Sequence, residues 1–144
     1  MANVIPFTFR GALFSVTHNF ASGGNTFRIA LYTGSIASVY TTASTTVSAT
    51  NEVSTGGSSN YTRKDLSSQA VASGTAVASV DFGDTTWSSA TFTAAYAAIY
   101  NDTAAGDPLV VVLDFGGDKT CTNGTFKITY PDPSTPANAI ISMS

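Results

Sequence analysis

The residues best suited to chemistry are aspartates that occur in two similar Asp-Phe-Gly segments. Asp81 and Asp84 flank a Phe-Gly pair, and Asp114 and Asp118 flank Phe-Gly-Gly, each group after a valine-rich segment. Carboxylates are ligands that Ca²⁺ accepts, but neither turn offers a further nearby acid. The Asp-Phe-Gly triplet also occurs in protein kinases, whose glycine-rich loop, strand lysine and catalytic loop are missing here. We therefore predict that these aspartates accept hydrogen bonds from backbone amides in glycine turns that end strands.

Residue sets for nucleophilic or acid–base catalysis are incomplete. His18 is the only histidine, and no Gly-x-Ser-x-Gly segment supports a Ser-His-Asp arrangement. Glu52 could form a glycosidase pair with an aspartate, but nothing in the sequence selects which one. The single cysteine, Cys121, has no disulfide partner and no Cys/His cluster for zinc. We expect no enzymatic activity, no catalytic residue, no metal ligand and no cofactor.

Charged residues are unusually scarce in this sequence. They make up 10% of its 144 residues, against about 25% in typical domains, and Ser and Thr together exceed a quarter. The six basic residues are scattered and the net charge is −3, which argues against binding to a phosphate backbone. Only Arg63 and Lys64 are adjacent, and we interpret them as a solvated pair. Either glycans or partner subunits could keep such a neutral, hydroxyl-rich surface soluble.

Segments for export or membrane insertion are not recognisable. The first residues lack the basic and apolar regions of a secretory signal, and no apolar run approaches the ~20 residues that span a bilayer. Asn60, Asn101 and Asn123 begin Asn-x-Ser/Thr sequons, which chance explains in so threonine-rich a chain. We expect synthesis in the cytoplasm and no membrane partner.

A hairpin at 86–115 is the predicted centre of the fold. Residues 86–100 and 109–115 are apolar, β-branched or aromatic segments, and residues 101–108 are turn formers. Side chains alternate along a strand. We therefore expect one face of the first strand to carry Phe92, Ala94, Tyr96, Ala98 and Tyr100, and the other to carry Ala95, Ala97 and Ile99.

Shorter elements surround this hairpin. Phe9, Leu13, Val16 and Phe20 recur at helical spacing, which predicts an amphipathic helix at about 7–17 lying on the sheet. Residues 1–5 are predicted to be a flexible arm. Residues 34–60, rich in Ser, Thr, Gly and Ala, are predicted to be a long surface loop.

Further strands are predicted by period-two alternation. In the segment 26–33, Phe27, Ile29 and Leu31 should face inward and Arg28, Ala30 and Tyr32 outward. The other predicted strands are 61–66 at an edge, a pair at 69–71 and 76–82, then 124–130 and 138–143. Six to eight short strands predict one mainly β domain over 1–144, an antiparallel, jelly-roll-like β-sandwich with one short N-terminal amphipathic helix.

The order and spacing of several segments resemble a group of small virion proteins of tailed bacteriophages. These segments are residues 19–20, 26–33, 50–53, 86–93, 98–101, 113–116, 118–120 and 124–128. They are strand and turn patterns that cover most of the chain. Members of the group are capsid decoration (cement) proteins or tail and fibre components. The resemblance implies a structural protein of the virion and leaves its place on the particle open.

Two hypotheses follow from this resemblance. The preferred one is a cement protein that binds the major capsid protein on the outer surface of the head shell, as a homo-oligomer and most simply a homotrimer. The alternative is a tail or tail-fibre component, a host-attachment module on which exposed Tyr or Trp would stack on carbohydrate. The scarcity of charge suits the first, because charged residues are depleted in interface cores.

Overall fold

The computed structural model describes residues 3–73, 77–131 and 139–143. Residues 1 and 2 of the predicted arm, and residues 76 and 138 at the start of two predicted strands, lie outside the described residues. The described residues form one α-helix, seven strands and two single-turn 3-10 helices, at Ile36–Ser38 and Gly57–Ser59. The other elements are α1 (Phe7–Phe14), β1 (Phe27–Tyr32), β2 (Lys64–Asp65), β3 (Ala70–Ser73), β4 (Ala78–Asp81), β5 (Thr85–Asn101), β6 (Leu109–Ile128) and β7 (Ile141–Met143).

The predicted central hairpin is confirmed and is longer than expected. β5 and β6 pair antiparallel, and the Asn101 amide donates to the Pro108 carbonyl at 3.0 Å to close the loop. β6 does not end near residue 115. It bends at Gly116 and Gly117, with φ of 71° and 132°, and continues to Ile128. The predicted strand end at 114–118 is therefore wrong, because glycine absorbs the irregularity inside the strand.

A register shift exchanges the two faces of β5. The pairing with β6 is interrupted between Ala94 and Tyr96, where Ala95 alone lies opposite four β6 residues, 115–118. The consecutive residues Ala95 and Tyr96 then pack on the same side of the sheet. Tyr96 therefore packs in one apolar cluster, whereas Phe92 and Ala94 pack in the other. The predicted faces of β5 are wrong at Phe92, Ala94 and Ala95, because this irregularity in the pairing reverses the alternation.

The strands form two antiparallel sheets. The first has the order β2-β1-β5-β6, with Ile29 opposite Ile99 and β2 at the edge, as predicted for residues 61–66. The second has the order β3-β4-β7, which confirms the predicted strand pair and the last strand. Phe82 and Ile141 of the second sheet's segments join the core formed by β1 and β5. The mainly β, sandwich-like fold class with one short helix is confirmed.

A second core lies on the opposite face of the first sheet. Ala30 and Tyr32, predicted to face outward, are fully buried there with Ile36 and Tyr40 of the long loop. The Tyr40 hydroxyl donates to the Tyr32 hydroxyl at 2.9 Å and accepts from the Ser48 amide at 2.8 Å. Residues 34–60 lie on the surface and are mostly exposed, but this loop also buries Ile36 and Tyr40 against the sheet.

Helix α1 is shorter than its sequence period suggests. Phe9 is buried and Leu13 half-buried as predicted, but Val16 lies beyond the helix and is exposed. The Thr17 amide donates to the Ala12 carbonyl at 2.9 Å, and the Val16 amide donates to the Leu13 carbonyl at 3.2 Å. These two bonds form a Schellman C-cap, which places Val16 in the left-handed region with φ of 59°.

Residues 3–5 are not the predicted flexible arm. The Val4 amide donates to the Val112 carbonyl at 2.9 Å, and the reverse bond is 2.8 Å long. The Asp114 amide donates to Asn3 Oδ1 at 2.8 Å. The arm is ordered because the outer edge of β6 offers it unpaired backbone groups. The helices among the described residues lack the length and apolarity needed to span a bilayer.

Candidate interaction surface

Glu52, the one glutamate, is engaged in a polar network. Arg63 Nε donates to Glu52 Oε1 at 2.8 Å and Nη2 donates to Oε2 at 2.7 Å. The Tyr61 hydroxyl donates to Oε1 at 2.8 Å and accepts from the Leu31 amide at 2.9 Å. This bidentate pair holds the pKa of Arg63 above its usual range. Arg63 is therefore not half of a solvated pair, and Glu52 ties the loop to the sheet instead of facing a second acid.

The Asp-Phe-Gly aspartates bind backbone amides, as predicted. Asp81 Oδ1 accepts from the Phe82 amide at 2.8 Å, and Asp114 Oδ1 accepts from the Gly116 amide at 2.9 Å. Asp84 accepts from the Tyr130 amide at 3.1 Å and forms an ion pair with Lys127 at 2.7 Å. Within the ranges that the structure describes, no three His, Cys, Asp or Glu side chains group as metal ligands.

His18 contacts Asn101 and aromatic rings instead of a serine. Its Nδ1 lies 3.1 Å from Asn101 Nδ2, and its ring centroid is 5.2 Å from that of Phe9. Asn101 is fully buried, so this sequon asparagine is inaccessible to a glycosylating enzyme. Neither residue adopts a catalytic arrangement.

The most unusual surface feature is a set of exposed apolar side chains, which we call the apolar band. Phe14 is 92% exposed and Val16 79%, and Phe7 and Val71 are also exposed. Three of these four residues belong to α1 or the residue pair after it. Isolated exposed apolar side chains are ordinary, but a contiguous group marks an interaction site.

Two apolar clefts adjoin the band residues Phe14 and Val71. One, of about 510 Å³, lies between α1 and β7 beside Phe14; the other, of about 380 Å³, reaches Val71 on β3. Leu13 and Ile141 line both clefts, so the two are neighbours. Arg10 is the one charged side chain among the described residues that line them. The band therefore presents an uneven apolar surface on which a partner would have to desolvate little charge.

Backbone strain supports a role for Val16 in the band. A β-branched residue in the left-handed region is a genuine outlier, and this conformation costs about 1–2 kcal/mol for a residue with a Cβ. Because Val16 is 79% exposed, burial within the chain does not offset that cost. Strain that the fold does not need is a feature of functional positions.

Sequence reasoning missed the band because it followed only one face of the helix. Phe7 and Phe14 are seven residues apart and so share a face, and that face lies opposite Phe9. The signal was present: α1 is apolar on two sides, and only one side can dock on the sheet.

No tyrosine or tryptophan is exposed for stacking on sugars in the part of the chain that the structure describes. All six tyrosines and Trp87 are buried, each with at most 7% of its surface exposed. Trp87 Nε1 donates to the Thr62 carbonyl at 2.8 Å, and Tyr32 stacks on Tyr96 with centroids 5.1 Å apart. These rings serve the two cores.

Comparisons with known proteins give no match: no protein-family model matches the chain, and neither the curated proteins nor the solved structures contain a significant match.

Proposed function

We propose that the chain is a structural protein of a tailed-bacteriophage virion. In this proposal it is a capsid decoration protein that binds the major capsid protein on the outer surface of the head shell, after synthesis in the host cytoplasm. It acts as a homo-oligomer, most simply a trimer, because a closed three-fold ring fits a local three-fold axis of an icosahedral lattice. Its role is cohesion of the shell and involves no catalysis.

The observation that carries the proposal is the apolar band on a chain so poor in charge. Cores of protein interfaces are depleted in charged residues and enriched in aromatic ones. Phe14, 92% exposed beside a cleft of about 510 Å³, has the features of an interface anchor. The resemblance of the strand and turn patterns to phage virion proteins supplies the class of partner.

The alternative is the carbohydrate-binding attachment module of a tail fibre. The burial of all six tyrosines and Trp87 removes the exposed Tyr and Trp rings that this alternative expects. This observation favours the decoration protein.

The test compares two variants with aspartate at exposed positions. Phe14→Asp should keep the fold, because Phe14 makes little contact with the core, and should weaken binding to purified head shells of the parent phage. Loss of an aromatic anchor costs about 2 kcal/mol, or about 30-fold in affinity. The matched control is Ala105→Asp, at an exposed position in the β5–β6 loop, which should bind like the unmodified protein.

Co-sedimentation with shells measures the affinities, and circular dichroism checks that both variants are folded. Equal binding by the two variants would place the interface outside the band. Failure of the unmodified protein to bind shells, together with binding to a glycan array, would favour the tail-fibre alternative.

A further inference from the structure

His18 occupies a buried position between α1 and the first sheet. It is 6% exposed, and its ring lies against Phe9 of α1, Phe20, and Phe27 of β1, with centroids 5.2, 6.0 and 6.2 Å away. Because it touches both the helix and the strand, His18 is part of the contact that holds α1 in place.

The orientation of the Asn101 amide is fixed by its other hydrogen bonds. Asn101 Oδ1 accepts from the amides of Thr103 at 3.0 Å and Ala104 at 3.2 Å. Its Nδ2 lies 3.1 Å from the Thr17 carbonyl and 3.1 Å from Asn25 Oδ1. Rotating the amide by 180° would oppose like groups at all four contacts. Nδ2 must therefore face His18, at 3.1 Å from Nδ1.

This geometry determines which nitrogen of His18 carries the proton. Asn101 Nδ2 has two hydrogens for three neighbours at 3.1 Å, so its contact with His18 Nδ1 shares a hydrogen with the Thr17 carbonyl or Asn25 Oδ1. Because Nδ2 cannot accept, Nδ1 carries no proton, and the neutral ring is protonated at Nε2. Nε2 is buried without a hydrogen-bond partner. A second proton, on Nδ1, would point at the Asn101 NH₂ group and would break the one side-chain hydrogen bond that the ring makes.

Among the described residues, no carboxylate faces His18 to form an ion pair with a protonated ring. Phe9, Phe20, Phe27 and Asn101 surround the ring, and the β4 and β7 residues of the adjoining cleft are Ala78, Ser79, Val80 and Ile141. None of these side chains titrates or carries charge. Asp102, next to Asn101, faces Arg28 at 3.5 Å instead.

We propose that His18 and Asn101 form a proton-sensitive latch: protonation of His18 breaks its bond to Asn101 and releases α1 and residues 15–20 from the sheet. Release exposes Phe9 and Phe20 and moves the band residues Phe7, Phe14 and Val16. Acidification therefore alters the surface that carries the apolar band. The latch rests on the described contacts and holds whether or not the protein decorates a capsid.

The direction of the pH dependence follows from burial, which lowers the pKa of His18 from 6.5. In the released state the ring is solvated, and its pKa returns to about 6.5. Docking of α1 is therefore at full strength above this value, weakens as pH falls through the interval between the two pKa values, and levels off below the docked pKa. Each unit of difference between the two pKa values lowers the equilibrium constant for docking of α1 tenfold.

The test uses the single histidine, whose imidazole NMR signals need no assignment. We expect the titration to give a pKa below 6.5, with the neutral ring protonated at Nε2. Hydrogen exchange of the α1 amides should accelerate between about pH 7.5 and pH 5 after correction for intrinsic exchange. Once the pH lies below the measured pKa, the total acceleration should be tenfold for each unit by which that pKa lies below 6.5.

His18→Phe is the matched variant, because phenylalanine preserves ring packing and cannot titrate. In this variant α1 protection should not depend on pH over the same interval. Should His18→Phe fail to fold, the wild-type agreement between the NMR pKa and the exchange ratio still decides the question. A wild-type pKa at or above 6.5, or the same pH-dependent exchange in His18→Phe, would overturn the latch.

Discussion

Arg63 and Glu52 illustrate how a residue with catalytic potential serves the fold. Their side chains are 25% and 14% exposed, and the carboxylate bonds both Arg63 and Tyr61. Arg63 Cζ also lies 5.3 Å from the centroid of the Tyr100 ring. Breaking a largely buried, hydrogen-bonded pair leaves the remaining charge poorly solvated, whereas a surface pair contributes little.

Replacing Arg63 should therefore be costly. Arg63→Met should lower the free energy of unfolding by about 2–3 kcal/mol, below the full cost of a completely buried pair because the site is partly hydrated. Arg28→Met is the control, since Arg28 pairs with Asp65 at 2.8 Å across side chains that are 33% and 69% exposed. The Arg28→Met variant should lose less than about 1 kcal/mol of unfolding free energy. Urea unfolding measures the free energy of unfolding of both variants. Equal losses in the two variants would contradict a special role for the Glu52 network.

Pair partners of this kind could not be predicted from the sequence. Glu52 and Arg63 lie in a stretch without clear periodicity, and their contact depends on the 3-10 turn at Gly57–Ser59 and on the packing of Tyr61. By contrast, the roles of Asp81 and Asp114 as acceptors of backbone hydrogen bonds were predictable, because such bonds are local and follow from residue type.

At the scale of elements, the C-terminus of α1 combines a regular hydrogen-bond pattern with an unsuitable residue. Position C′ of a Schellman cap favours glycine or asparagine, yet Val16 occupies it with φ of 59°. The side chain is exposed and contributes little burial. The chain therefore carries strain at this position that glycine would remove.

Val16→Gly should stabilise the isolated protein by about 1 kcal/mol, since relief of left-handed strain exceeds the added entropy of the unfolded chain. Val16→Ala, which keeps the Cβ, should increase the free energy of unfolding by less than Val16→Gly does. Thermal unfolding compares the three proteins. If Val16→Gly is neutral or destabilising, the strain assigned to this cap is wrong, and with it the argument that Val16 is kept for its exposed surface.

The ends and irregularities of elements were the least predictable features. Helical spacing located α1 and its buried Phe9, but the helix end depends on a cap that lacks its usual glycine. Alternation located β5, but its change of face at Ala95 is specified by the extra β6 residues 115–118 opposite it, a long-range interaction. Gly116 and Gly117 were interpreted as a turn, although glycine also permits bends within a strand.

At the scale of the whole molecule, two cores share one sheet. β1 and β5 contribute to both, and the loop 34–60 closes the second with Ile36 and Tyr40. The fold class followed from strand count and turn spacing. The second core did not, because its loop carries apolar residues only singly and shows no period. With its polar outer positions mostly Ser and Thr, the molecule has few charges with which to attract or repel a partner.

This scarcity of charge leads to a prediction about assembly. If subunits associate through apolar burial, a change from about 0.05 to about 1 M salt should alter the association constant by less than about threefold, since few charges are available for screening. Light scattering over a range of protein concentrations measures the oligomer mass at each salt concentration. Assembly on nucleic acid would instead lose about 10³–10⁵ in affinity between 50 and 200 mM salt. A monomer mass at every protein concentration would contradict the proposed trimer. A steep dependence of the association constant on salt would show that association relies on the few charged side chains instead of the apolar band.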